Sequence, residues 1–213
     1  MENIIFKTTN SNDSIAVCSF DESIEDEFSK LEQNLSPDEV NDIRNFKNEN
    51  FRKQKMAGRV ILNALLGEAG KIEYDQHGKP HLKSHAYDIS FSHAKDKVAV
   101  MLSKKTAGID IQDITPRIHK IVHKYMNQPE LNSLKEETYD IHATLYWSAK
   151  EALYKAYGER QLIFTDNIIV EPFSFVPGKG TFNGSIVLEN SKKDFVLKYE
   201  IIGIFALVYL WNE

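Results

Sequence analysis

Two stretches with helical spacing, each followed by short strand-like runs, confine this chain to folds in which helices pack on sheets. The first stretch opens at Ser36, a candidate N-cap, with Pro37 at the first helical position. It meets no further proline before Gly67 and Gly70, and reads as one long helix or two short ones. Val40, Ile43, Phe46, Val60, Ile61, Ala64 and Leu65 mark its buried face, and Arg52, Lys53, Lys55 and Arg59 make the opposite face basic. A turn at Gln76-His77-Gly78-Lys79-Pro80 follows. The runs Asp88 to Ser92 and Val98 to Ser103, joined by polar Ala94 to Lys97, then predict a hairpin. In the short run Ala107 to Ile111, strand alternation puts Ile109 and Ile111 on a core face and Asp110 and Gln112 on the other.

Helical signals return after Pro116 and Pro129. The clearest helix runs from about Tyr139 to Gly158, with Gly158 just past its end. Phe173 to Val176, Gly184 to Leu188, Phe195 to Tyr199 and Ile204 to Trp211 are strand-like. The order helix, hairpin, apolar run thus occurs twice without a residue-level repeat. The expected fold class is α/β in the α+β sense, with an N-terminal half over 1–106 and a C-terminal half over 107–213. The junction lies near Thr106 to Gly108, and the halves form one functional unit.

With 213 residues, 42% of them hydrophobic, the chain can bury a substantial core. A formal net charge of -5 and the lack of any long Lys/Arg run argue against a nucleic-acid binder. Cys18 stands alone, so no intramolecular disulfide can form. The opening MENIIFKTTN has neither a basic n-region nor an apolar h-region, and a reducing cytoplasm is expected. The longest nearly apolar run, Ile201 to Trp211, is about half the ~20 residues that span a bilayer. It is expected to be a core strand, with no membrane anchor.

Trp147, Glu151 and Lys155 follow one another at four-residue intervals in the Tyr139–Gly158 helix, so a carboxylate and an ammonium share its face. By itself the pair also reads as an exposed, functionally silent ion pair. Asp110, between Ile109 and Ile111, needs either solvent or a cation to offset its desolvation, and both an edge-strand Asp facing water and a metal ligand fit. Mg²⁺ takes one or two protein carboxylates together with phosphate oxygens and water, so Asp110 and Glu151 brought together by folding would suffice. Ser92-His93 at a strand end and Lys79 in a Gly-Lys-Pro turn could present a hydroxyl, an imidazole and an ammonium to an anion, or could be ordinary turn residues. His119 and His123 are spaced for a metal, but no third ligand is evident and zinc is not expected.

Taken in order, Gly78-Lys79-Pro80, Ser92-His93, Gly108-Ile109-Asp110-Ile111-Gln112 and the helix bearing Trp147, Lys150, Glu151 and Lys155 resemble the motifs of the Sfp-type 4'-phosphopantetheinyl transferases, within the holo-acyl-carrier-protein synthase superfamily. The segment beginning Ser36-Pro37-Asp38-Glu39 and ending Ala57-Gly58-Arg59 is similar as well. The resemblance covers roughly residues 36 to 158. It implies two similar halves, each a small, mainly antiparallel sheet packed on helices, related by a pseudo-twofold axis with coenzyme A in the cleft between them. It further implies that Lys79, Pro80, Ser92, His93 and Asp110 hold CoA, with Arg52, Lys53 and Arg59 reaching its phosphates. Asp110, Gln112 and Glu151 would bind Mg²⁺. Gln112 departs from the family, where many relatives carry a third acid, and Glu39 and Asp42 stand where some carry basic residues.

The implied reaction moves the 4'-phosphopantetheine arm of CoA to a serine of an apo acyl or peptidyl carrier protein, releasing 3',5'-ADP, with Glu151 and Lys155 catalytic. Carrier proteins in this family's reactions are acidic, and the enzyme is expected to be a monomer. Two other classes remain open from the residues: an inactive CoA-binding or carrier-protein-binding module, which Gln112 favours, and a metal-dependent nucleotide diphosphate hydrolase. The absence of a G-x-x-x-x-G-K-[ST] loop removes the P-loop version of the latter.

Overall fold

The computed structural model of the chain describes residues 4–83, 86–159 and 161–212. Strands β1 (Ile4–Thr9) and β2 (Asp13–Ser19) pair as a hairpin. Helices α1 (Ile24–Glu32), α2 (Pro37–Arg44) and α3 (Glu49–Leu66) come next. Strands β3 (Ile72–Tyr74), β4 (Pro80–Leu82), β5 (Asp88–Ala94) and β6 (Lys97–Ser103) complete an antiparallel sheet in the order β1-β2-β6-β5-β4-β3. Strand β7 (Ile109–Asp113) begins a second antiparallel sheet. Short helices α4 (Val122–Tyr125) and α5 (Gln128–Asn132) and the long α6 (Tyr139–Tyr157) lead to β8 (Ile168–Val170), β9 (Lys179–Leu188), β10 (Ser191–Ile202) and β11 (Phe205–Leu210), in the order β7-β11-β10-β9-β8. The fold is α+β, with two antiparallel sheets packed on helices.

The stretch from Ser36 resolves into two helices because each has its own start. The Ser36 side chain accepts from the Glu39 N–H, and Asn48 accepts from the Phe51 N–H. Gly67 ends α3 and Gly158 ends α6, both at positive φ. One face of the first sheet, with Ala16, Cys18, Val98 and Val100, packs on Met56, Ala57, Ile61 and Leu62 of α3. Its other face, with Ile15, Val17 and Met101, joins the core built by α6 and the second sheet. Burial on both faces is why β6 reads as an unbroken apolar run.

Three expectations need correction. Phe173 to Val176 is not a strand: the backbone N–H and C=O of Val176 are satisfied by the Tyr199 hydroxyl, at 2.9 and 2.7 Å, so they need no strand partner. Of the run Ile201 to Trp211, Ile201 and Ile202 end β10, the chain turns at Gly203-Ile204, and only β11 is the buried core strand, in keeping with the separate strand expected from Ile204. The chain before Ser36, where no element was expected, forms the N-terminal hairpin and α1. No helix among the described residues is long and apolar enough to cross a membrane.

Candidate active site

The site begins with a glycine. A Cβ on Gly108 would lie 2.3 Å from the backbone oxygen of Ala152 and 2.2 Å from Leu210 Cδ1. Only a residue without a side chain lets the chain entering β7 approach α6 this closely. That approach sets Asp110 beside the α6 residues one turn apart, Glu151 and Lys155. The outer edge of β7 is then closed by side chains of β5 instead of a strand. Alternate residues Asp88, Ser90 and Ser92 accept from the N–H groups of Ala107, Ile109 and Ile111 at 2.9, 3.2 and 3.1 Å. This side-chain ladder joins the two sheets and fixes Ser92 against Asp110.

Asp110 is 5% exposed. Its Oδ1 accepts from Ser92 Oγ at 2.7 Å and from Lys155 Nζ at 2.8 Å, and Lys155 also donates to the Ile109 carbonyl at 3.0 Å. The ammonium expected beside Glu151 therefore belongs to Asp110, because β7 brings a carboxylate with two fixed neighbours within reach. Glu151 is partly buried, and desolvation raises its pKa above the ordinary carboxylate range. The Asp110 charge adds to the rise and Lys155 opposes it. Asp110 Oδ2 is buried without a hydrogen-bond partner. An orphaned carboxylate oxygen beside a second carboxyl that resists ionisation has the chemistry a divalent cation relieves, so these residues fit Mg²⁺. Gln112, two residues along β7, shares the strand face of Asp110. Among the described residues no group of three or more His, Cys, Asp or Glu is arranged for a metal.

Beside this cluster opens a cleft of about 800 Å³ whose wall includes Arg59, Lys79, Pro80, Ser92, His93 and Lys155, but not Asp110, Gln112 or Glu151. Lys79 reaches from the Gly78 turn to the end of α6, donating to Asp88 Oδ2 at 3.2 Å and to the Ala156 carbonyl at 3.3 Å. It packs where a side chain on Gly158 would sit. Pro80 opens β4, where a missing N–H is tolerated. Ser92 is buried, with its hydroxyl already donating to Asp110 and accepting from Ile111. His93 is exposed at the cleft and meets the edge of Phe51 at 5.7 Å between ring centres. Desolvation and the ammoniums of Lys155 and Lys55 hold its pKa below the ordinary imidazole value.

Of the basic helix face, only part meets the cleft. Arg52 and Lys53 are not on its wall. Arg52 pairs with Glu25 at 3.4 Å, and Lys53 pairs with Glu22 and Glu49 at 2.6 and 2.7 Å. Arg52 is drawn to the acidic first turn of α1, and Lys53 is held between Glu22, just before α1, and Glu49 at the start of its own helix. Lys55 does line the cleft, four residues before Arg59 on the same helix face, with its ammonium 5.4 to 5.9 Å from the ring centres of Phe46, Phe51 and Tyr74. The sequence marks Lys55 only as part of the basic helix face and not among the CoA contacts, although its i, i+4 spacing to Arg59 was a usable signal, and it offers none for Tyr74. His119 hydrogen-bonds Asp140.

A family model described as the 4'-phosphopantetheinyl transferase superfamily matches residues 106–199. Among curated proteins, 4'-phosphopantetheinyl transferase AcpT of Salmonella typhimurium is 27% identical over 132 residues, which are 58% of this chain and 69% of that protein.

Proposed function

We propose that this chain, which is similar to the 4'-phosphopantetheinyl transferase superfamily over residues 106–199 and to AcpT, carries phosphopantetheine from CoA to a serine of an apo acyl or peptidyl carrier protein, releasing 3',5'-ADP. The observation that carries this reading is the Asp110 carboxylate. It is gripped on one oxygen by Ser92 and Lys155 and left open on the other, beside Glu151 and at the edge of the cleft. The halves 1–106 and 107–213 act as one unit with CoA between them. The working state is a cytoplasmic monomer.

Phosphoryl transfer asks a protein mainly for position and charge neutralisation. Asp110 and Glu151, with the Gln112 amide oxygen, would hold Mg²⁺, which supplies positive charge against the pyrophosphate when bound. Lys79, Pro80 and His93 line the nucleotide side, and Ser92 orients Asp110 more than it contacts ligand. The carrier serine oxygen bonds to the β-phosphorus while the bond from that phosphorus to the bridging oxygen breaks, leaving with 3',5'-ADP. Glu151, directly or through a water, accepts the serine proton, and Lys155 stabilises the pyrophosphate or supplies a proton to the departing phosphate.

The test is mass spectrometry of an apo carrier protein incubated with this chain, CoA and Mg²⁺, in parallel with Glu151→Ala. The expected outcome is a gain of one phosphopantetheine, with the rate reduced at least about 100-fold in the variant. CoA binding without mass gain across fatty-acid, polyketide and peptide-synthetase carriers would instead identify an inactive binding module.

A further inference from the structure

The cleft wall contributed by α2, α3 and the approach to β3 is nearly balanced in charge. Asp38, Glu39 and Asp42 face it together with Lys55, Arg59 and Lys71. Of these cations, Arg59 has the geometry suited to a phosphate: a planar guanidinium, 3% exposed, on the wall of the cleft. Its Nη2 donates to the Gly70 carbonyl. Its Nε lies 2.6 Å from Glu39 Oε1, so a carboxylate from the chain itself stands against it. The pairing is poorly aligned, because neither Nε nor Nη1 makes a hydrogen bond. Little solvent reaches this pair, whose side chains are 2% and 16% exposed, and burial raises the Glu39 pKa while Arg59 opposes the rise.

If the pyrophosphate of CoA lies at Asp110 and Glu151, as in the function proposed above on which this inference rests, the donor has one phosphate left. It is the group on the ribose 3'-oxygen, and the α2–α3 wall is the part of the cleft left to receive it. We propose that Glu39 is a specificity-determining residue of the donor site: it occupies the guanidinium that a ribose 3'-phosphate would take, so this chain discriminates only weakly between CoA and 3'-dephospho-CoA. A dianion entering here must displace the carboxylate from Arg59 and approach Asp38 and Asp42, whereas a ribose hydroxyl carries no charge to be repelled. Lys55, held against three aromatic rings, and Lys71, 3.5 Å from Glu73, only partly offset that repulsion.

The experiment is calorimetric titration of the full chain, and of Glu39→Gln and Glu39→Ala, with CoA and with 3'-dephospho-CoA. Thermal melts of each variant identify any that does not fold, and two substitutions of different size guard against losing both. For the unmodified chain the two donors are expected to bind within about threefold of each other. Freeing Arg59 should tighten CoA about tenfold and leave 3'-dephospho-CoA unchanged. A strong preference of the unmodified chain for CoA, or equal effects of the substitutions on both donors, would overturn the inference. Donor binding with this pattern but without carrier modification would refute the transferase reading and leave Glu39's role standing. Failure of both donors to bind would refute both.

Discussion

At Gln112 an amide stands where a third carboxylate would complete a cation site with Asp110 and Glu151. In the proposed site the protein would offer two negative charges, and the pyrophosphate would supply the rest. Mg²⁺ should bind weakly without CoA, and Gln112→Glu should tighten metal binding, read by calorimetry with Mg²⁺ alone; unchanged affinity would remove Gln112 from the site. His142 makes a separate prediction. It is 1% exposed, stacked near Tyr146 and Phe173, with neither ring nitrogen hydrogen-bonded, and burial pushes its pKa from 6.5 down to about 4. The unfolded chain therefore takes up this proton at higher pH than the folded one. The stability it allows is fully present above pH 6.5 and declines by roughly 3 kcal/mol as pH falls to about 4. Urea unfolding at pH 7.5 and pH 5 should show this slope, and His142→Phe should flatten it.

The helix that carries Glu151 and Lys155 is held from behind. Lys150, next to Glu151, is fully buried, with Nζ 2.8 Å from Glu130 Oε2 and 2.8 Å from the Phe164 carbonyl. Glu130, also fully buried, accepts from the N–H of Asn127 at 2.8 Å and of Val170 at 2.9 Å, so one carboxylate joins α5, α6 and β8. Burial lowers the Lys150 pKa and the Glu130 charge opposes the fall. Removing one partner strands the other charge in the core, which costs about 3–5 kcal/mol. Lys150→Met should lose stability on that scale in chemical denaturation. On the other side of α6, Gly108→Ala should be severely destabilising, because the added methyl meets the helix backbone at Ala152 as well as the Leu210 side chain, and the backbone cannot step aside.

Besides the core they share, the two sheets are joined by hydrogen bonds from side chains. Asp88, Ser90 and Ser92 close the edge of β7. At the other end of the junction, Asn212 donates through Nδ2 to Asp13 Oδ1, Ser103 Oγ and the Thr106 carbonyl at 3.0, 3.1 and 2.9 Å, binding the end of the second sheet to the first. Ser90→Ala would strand the buried N–H of Ile109 at a cost of about 1–3 kcal/mol, or roughly 2–4 °C in thermal midpoint per kcal/mol. Transfer should weaken with it, since the same ladder aligns Asp110. A variant with normal transfer and an unchanged melt would show that water replaces the hydroxyl without cost.

Much of this was legible in the chain because the relevant signals are local. Ser36 and Pro37 announced α2, Gly158 the end of α6, and two-residue alternation placed Asp110 on a different face from Ile109 and Ile111. The Phe173 to Val176 run misled because a tyrosine hydroxyl from a distant strand replaced its ladder partners, whereas the strand expected from Ile204 is β11, preceded by the turn at Gly203. Partner choice was decided by tertiary structure alone. Lys155 pairs with Asp110, Arg52 with Glu25 of α1, and Arg59 with Glu39, because charge pairing depends on which elements pack side by side. A sequence states which charges a chain carries, and only the packed fold determines which of them meet.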